Sequence, residues 1–343
     1  MMPDERLGKL AKVLVGYSIE VGEGDRVRIA GTTASESLIR EIYREVLRVG
    51  GHPRVHMSFE DQQYILYSTA SDEQLEDIDP IAMHEMEHID CIVQTFPDLN
   101  PHALSSIDPG KKQLVTRAMK PVMDVLFRRW GEGELKWVGT ACPTPALAQE
   151  AKMSLEEYSE FVFECMHLND EDPTFFWKGF SGRQQEICDR LNGVKEMRYV
   201  GRDTDLAFRC DGRTWINCDG KNNFPDGEIF TGPIEDSVEG RIRFTYPGIY
   251  HGEEIEDIML RFESGRVVEA RAAKGEKLLL KLLDTDEGSR YVGEIAIGTN
   301  DNIDRFTKNM LFDEKMGKTV HLALGMGIPG SGSKNVSAIH WDM

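Results

Sequence analysis

Six side chains in the second half of the chain have the types and spacing that hold metal ions: Glu228, Glu294, Glu314, His321, His340 and Asp342. They come from four segments. In Asn223-Phe224-Pro225-Asp226-Gly227-Glu228, Pro and Gly make a turn and Glu228 opens an apolar stretch. Taken alone, that glutamate reads as a solvated turn residue. In Tyr291-Val292-Gly293-Glu294-Ile295-Ala296-Ile297-Gly298, Glu294 sits mid-run among apolar residues. A lone buried carboxylate is costly unless it is protonated, paired or bound to a cation. Glu294 therefore reads equally as half of an ion pair or as a metal ligand.

In Thr319-Val320-His321-Leu322-Ala323-Leu324-Gly325, an extended chain sets His321 on one face with Thr319 and Ala323, whose small side chains leave room beside the imidazole. Glu314 lies shortly before, in Phe312-Asp313-Glu314-Lys315, and by itself passes for a surface acid. In Ala338-Ile339-His340-Trp341-Asp342, the i, i+2 spacing points His340 and Asp342 the same way on a strand. That pair suits a metal, or a histidine oriented by an acid. Two imidazoles and four carboxylates are enough for two divalent cations ~3.5–4 Å apart that share carboxylates. The nitrogen and oxygen donor set favours zinc or cobalt, then manganese; magnesium, which does not call for imidazole, fits least well.

A second string is more conspicuous. His84-Glu85-Met86-Glu87-His88 fits HExxH, which on a helix sets two imidazoles one turn apart with a glutamate base between them. Asp79-Pro80 opens the segment and Asp90 follows almost at once, so the helix is short and polar. No HxxGxxH continuation and no clear third ligand follow. The segment reads as an exposed helix rich in His and Glu; the competing reading is a zincin-type endopeptidase using His84, Glu85 and His88.

The elements that must position these residues change character along the chain. The first part alternates helix and strand: apolar spacing predicts helices over residues 7–15 and 35–49 and strands over 26–30, 53–57, 91–96 and 135–139. Strand 26–30, helix 35–49 and strand 53–57 form a β-α-β unit, which joins parallel strands. Gly31-Thr32-Thr33 lacks the GxGxxG or GKS/T pattern, so no nucleotide site is expected there. A helix is predicted over 111–129, kinked or split at Pro121. Ser154-Leu155-Glu156-Glu157 reads as a capping box opening a helix toward Met166, and 181–191 as another helix. Beyond Gly193 the pattern turns to strands over 198–200, 205–209, 241–246, 255–262 and 266–271, with Glu263-Ser264-Gly265 as a hairpin turn. One helix follows, over 275–283. The expected fold is α/β: an amino-terminal domain with parallel strands, residues 1–193, and a strand-rich α+β domain carrying the candidate ligands, residues 194–343.

The 343 residues hold 59 Asp and Glu against 40 Lys and Arg, a formal charge of -19. Phosphate binding needs surplus Lys and Arg, so neither a nucleic acid nor an anionic membrane is an expected partner. No apolar run approaches the ~20 residues that span a bilayer. The start, Met1-Met2-Pro3-Asp4-Glu5-Arg6, lacks the apolar centre of a secretory leader. Six scattered cysteines without a CxxC pair read as reduced thiols in a cytoplasm.

The segments from Asn223 to Thr231, Gly293-Glu294, Phe312 to Lys315 with His321 to Gly325, and His340-Trp341-Asp342 occur in that order. In them the chain resembles the aminopeptidase T / aminopeptidase S family of metallo-aminopeptidases. The resemblance runs over nearly the whole chain and is strongest from Asn222 onward. It implies removal of amino-terminal residues from peptides with a free amino terminus, using two divalent metals. It places the metal ligands at Glu228, Glu294, Glu314, His321, His340 and Asp342, with Glu228 or Glu294 doubling as general base. It also implies a homodimer enclosing its active-site cavity. Ile328 stands where family members often carry a Tyr seven residues after the strand histidine. The chain stops just after the His-x-Asp pair, where members continue with a strand or hairpin, so the expectation is a sequence shortened at its carboxyl end. These two departures give the remaining alternative, an inactive, metal-stabilised homodimeric binding module.

Overall fold

Hydrophobic runs and helical spacing place most elements where the computed structural model has them; it describes residues 4–250 and 252–343. The chain divides into two compact units. One comprises Met1–Phe176 with Gly220–Pro225, the other Trp177–Asp219 with Asp226–Met343.

The first unit is built on a parallel five-stranded sheet in the order His52–Ser58, Arg26–Thr32, Cys91–Phe96, Lys136–Ala141, Asn223–Phe224. The expected β-α-β unit is present. Its helix, Glu36–Arg48, buries Leu38, Ile39, Ile42 and Val46 along one stripe. The helix ends as Gly50 and Gly51 donate back to Leu47 O and Val46 O, the paired bonds of a Schellman motif. Pro121 does not split its helix. One helix runs Pro109–Gly131, held by buried Ala118, Val122 and Arg129. The Arg129 guanidinium donates to Met86 O at 2.8 Å and Ile89 O at 2.7 Å, anchoring the last turns and offsetting the bond that Pro121 removes. Ser154 caps helix Leu155–Cys165 as expected, accepting from the Glu157 amide.

The second unit carries two antiparallel sheets of five strands. One has the order Arg266–Arg271, Met259–Glu263, Glu239–Arg243, Thr204–Arg209, Glu196–Gly201. Its expected hairpin is there, with Ser264 and Gly265 both at positive φ. The run expected as one strand over 255–262 is two, Glu253–Ile255 and Met259–Glu263. The chain breaks at Asp257, φ +56°, whose carboxylate accepts from Arg243 Nε at 2.6 Å. The strand expected over 241–246 instead spans Glu239–Arg243.

The other sheet has the order His340–Asp342, Val320–Gly325, Val292–Gly298, Glu228–Thr231, Ile216–Cys218. One face of it presents Ile229, Val292, Ile295, Leu322, Leu324 and Trp341 to a core completed by Phe208, Trp215, Phe262 and Leu279. The helix Glu276–Leu283 closes that core with Leu279, Leu282 and Leu283. Apolar burial of this kind fixes the register, because a one-residue slip would expose every core side chain.

Candidate metal centre

The opposite face of this sheet gathers the candidate ligands. Glu294 is in register with Ala323, and Ala323 with Asp342. His321 pairs with Ala296, Ala296 with Phe230, and Gly298 with Glu228. Residues paired across strands share a face, and so do residues two apart on one strand. Register alone therefore sets Glu228, Glu294, His321, His340 and Asp342 on one side.

Two glycines make the arrangement possible. The strand Val292–Gly298 has a bulge between Val292 and Glu294. A Cβ at Gly293 would lie 2.3 Å from Met326 O and 2.4 Å from Gly325 O, so no other residue fits there. At Gly298, Met316 O lies 2.0 Å from where a Cβ would be. The chain after the short helix Met310–Asp313 thus crosses the sheet at Gly298, directly opposite Glu228, and brings Glu314 and Lys315 in. The turn before Glu228 is pinned as well: Thr299 N donates to Gly227 O at 2.8 Å and Asn300 Nδ2 to Asp226 O at 2.9 Å. Gln184 donates to Cys218 O at 2.8 Å and Glu228 O at 3.0 Å, tying the last two strands to the helix Pro173–Leu191.

The structure brings all six expected residues together. Glu228, Glu294 and His321 offer ligand atoms within 4.8 Å of one another; so do Glu294, His340 and Asp342, and so do Glu314, His321 and Asp342. His321 Nε2 lies 3.2 Å from Glu228 Oε2 and 3.5 Å from Glu294 Oε1. His340 Nε2 lies 3.7 Å from Glu294 Oε2 and 3.6 Å from Asp342 Oδ2. Its Nδ1 donates to Met326 O at 2.7 Å, which orients the ring and leaves Nε2 for a ligand role. Glu228 is buried, unlike the solvated turn residue its local sequence suggests; Glu294 and His321 are buried with it.

Lys315 is the residue that sequence reasoning passed over. Its side chain is fully buried, and its Nζ bonds Glu314, lies 3.4 Å from Glu228 Oε1 and 4.0 Å from Asp226 Oδ1. Within Asp313-Glu314-Lys315 it looks like part of a solvated charge run; the only local hint was the apolar Phe312 before it.

Burial and mutual repulsion pull the titrations apart. Burial raises Glu228, but the Lys315 ammonium and His321 outweigh it and draw the carboxyl down to about 2. Burial pushes Glu314 up to about 8 despite Lys315, with Glu228 and Asp342 adding to the rise. Glu294 is raised by burial and by Asp342 and Glu228. Burial lowers His321, yet its contacts with Glu228 and Glu294 hold it well above the ordinary imidazole value. Cys218 groups with Asp226 and Glu228, but burial keeps it a thiol, a poor ligand.

The donors fit a cation. Glu228 Oε2, both ring nitrogens of His321 and Asp342 Oδ1 are buried and have no hydrogen-bond partner among the described residues. Buried polar atoms are rarely left so. One ring nitrogen of His321 with the neighbouring carboxylate oxygens makes a nitrogen and oxygen donor set that a divalent cation would complete.

The HExxH string behaves differently. It lies on helix Pro80–His88, and His84, Glu87 and His88 cluster within 4.8 Å at the exposed surface, so Glu87 is a third group that its sequence did not single out. Glu85, the base that zincin chemistry requires, is buried and accepts from His56 Nε2 at 2.7 Å, with Arg28 Nε 3.7 Å away. A cleft of about 960 Å³ in the same unit, lined by Arg28, Thr32, His56, Ser58, Gln94 and Phe96 among others, contains none of the six residues.

The sequence matches the family described as thermophilic metalloprotease (M29) over residues 3–343. It is 25% identical to aminopeptidase 2 of Geobacillus stearothermophilus, covering 95% of this chain and 84% of that one. It is 30% identical to aminopeptidase T of Thermus thermophilus over 66% of this chain and 60% of that one. In fold it is similar to the structure of wild-type AmpT from Thermus thermophilus, with a TM-score of 0.85 at 23% identity, covering 98% of this chain and 92% of that one. It also shares its fold, at a TM-score of 0.58 and 14% identity, with a 2,5-dihydroxypyridine dioxygenase from Pseudomonas putida KT2440, over 98% of this chain and 90% of that one. The scaffold therefore does not by itself fix the reaction.

Proposed function

The chain belongs to the M29 family of thermophilic metalloproteases, and from that premise we propose that it is a metal-dependent aminopeptidase that removes the first residue of peptides at a pair of divalent cations. Zinc or cobalt suits the donors best, with manganese or magnesium as lesser fits. The observation that carries the reading is the clustering of Glu228, Glu294, Glu314, His321, His340 and Asp342, with buried donor atoms on Glu228, His321 and Asp342 left without a hydrogen bond. Charge supports a pair. The cluster holds Asp226, Glu228, Glu294, Glu314 and Asp342 against the ammonium of Lys315, which pairs with Asp226, Glu228 and Glu314. Fully ionised, they leave four negative charges, which two divalent cations neutralise.

In this reading Glu228 and His321 would hold one cation and His340 and Asp342 the other, with Glu294 within reach of both and Glu314 beside His321 and Asp342. When bound there, divalent cations would supply Lewis acidity, to water and to a carbonyl oxygen. Glu294 or Glu228 takes the proton of the water that attacks the peptide carbon, and returns it to the departing amine as the C–N bond breaks. A free α-amine would bind a cation or a carboxylate of the pocket, which would restrict cleavage to the peptide's amino terminus. The carboxyl-terminal domain, residues 194–343, is the catalytic part in this proposal, and the protein works as a cytoplasmic homodimer.

The test is hydrolysis of a panel of aminoacyl amides beside peptides with blocked amino termini. Chelation should abolish hydrolysis of the free-amine substrates, zinc or cobalt should restore it, and blocked peptides should stay intact. Full activity in demonstrably metal-free protein, or cleavage of blocked peptides, overturns the reading.

A further inference from the structure

The acidic cluster has a resident cation of its own, and it is not central. Lys315 bonds Glu314 and lies 3.4 Å from Glu228. Among the described residues, Glu294 and Asp342 form ion pairs with the imidazoles alone and with no Lys or Arg. The ammonium is therefore committed to one side of the cluster. It contends for Glu228 with the position framed by Glu228, Glu294 and His321, and no ion pair joins it to a residue of the position framed by Glu294, His340 and Asp342.

Resting on the two-cation reading above, we infer that Lys315 makes the two cation positions unequal: the Glu294–His340–Asp342 position fills first and tightly, and the Glu228–Glu294–His321 position, whose Glu228 Lys315 also holds, fills second and weakly. The physical cause is competition. A divalent ion entering beside Glu228 must share that carboxylate with a fixed positive charge and be repelled by it. In a buried, poorly screened pocket, that repulsion at a few ångströms separates two affinities by roughly tenfold or more. Full burial prevents Lys315 from swinging out to relieve it. The second ion, unlike the first, would then exchange readily with the surroundings.

Metal content reads this out without reference to turnover. Protein stripped by chelation is titrated with Co²⁺, followed by visible absorption and by elemental analysis after dialysis. A His84→Ala/His88→Ala background removes the surface imidazoles as a further site. We expect two equivalents, the first saturating at a concentration roughly tenfold or more below the second. His340→Ala should remove the tight step. Lys315→Met, which keeps length and loses charge, should tighten the second step about tenfold and leave the first in place, whereas Lys315→Arg should preserve the gap. One equivalent in the parent that becomes two in Lys315→Met also supports the inference. Two equivalents of equal affinity in the parent overturn it, whatever the variants do, and leave the aminopeptidase reading standing. An unchanged second step in folded Lys315→Met overturns it too. Absence of any bound metal overturns both.

Discussion

Glu294 and Asp342 stand in one cross-strand row with Ala323 between them, each in register with it. The smallest chiral side chain thus lies between two carboxylates, and it is fully buried. A methyl group there is short enough to leave the space between the acids open. Ala323→Leu would fill that space. We expect metal affinity to fall about tenfold or more, alongside a stability loss of roughly 1–3 kcal/mol from overpacking. Equilibrium dialysis on the folded variant checks this; undiminished affinity would show that the row does not floor the pocket.

Stability of the metal-free protein should depend on pH with a definite sign. Burial pushes Asp313 up to about 7 and Glu314 up to about 8, from ordinary values of 3.8 and 4.5. The folded protein binds these protons more tightly than the unfolded chain, so their contribution is full below the ordinary values. It is lost as pH rises through about 7 and 8. Glu228 acts oppositely: its contribution is full above 4.5 and is lost as pH falls toward about 2. The melting temperature of chelated protein should therefore drop between about pH 5 and pH 8. The drop should shrink in Glu314→Gln and flatten when metal is added. A melting temperature that rises over this interval would contradict the assignment.

Replacing both His84 and His88 should leave aminoacyl amide hydrolysis within about twofold of the parent, because exposed helix positions tolerate substitution. Their partner glutamate in the HExxH string, Glu85, is engaged by His56 rather than by either imidazole. Loss of both activity and bound metal in a folded double variant would reinstate the zincin reading.

Much of this site was legible because strands alternate. His321 beside Ala323, and His340 beside Asp342, follow from a period of two once the segments are read as extended. Glu294 stood out because a charge in an apolar run needs a partner. Glu228 was harder: its burial depends on Asn300 and Thr299, more than seventy residues away, gripping the turn before it. Lys315 was invisible for the same reason. Nothing between Asp313 and Lys318 signals that the chain dips across the sheet at Gly298, since the cause is a missing side chain on another strand. The break at Asp257 likewise rests on a long-range bond to Arg243. Periodicity reports which face a residue takes; it is silent on what crosses that face.

The bulge at Gly293 gives the strand Val292–Gly298 a dividing point. On one side of it Val292 joins Leu324 and Trp341 among the greasy neighbours; on the other, two positions later, Glu294 turns toward ions. In a strand without a bulge, residues two apart would be obliged to look the same way; the extra glycine is what lets valine and glutamate differ. Any side chain put in the glycine's place would disarm the protein without altering a ligand, by prying the strand off the two carbonyls that close over it.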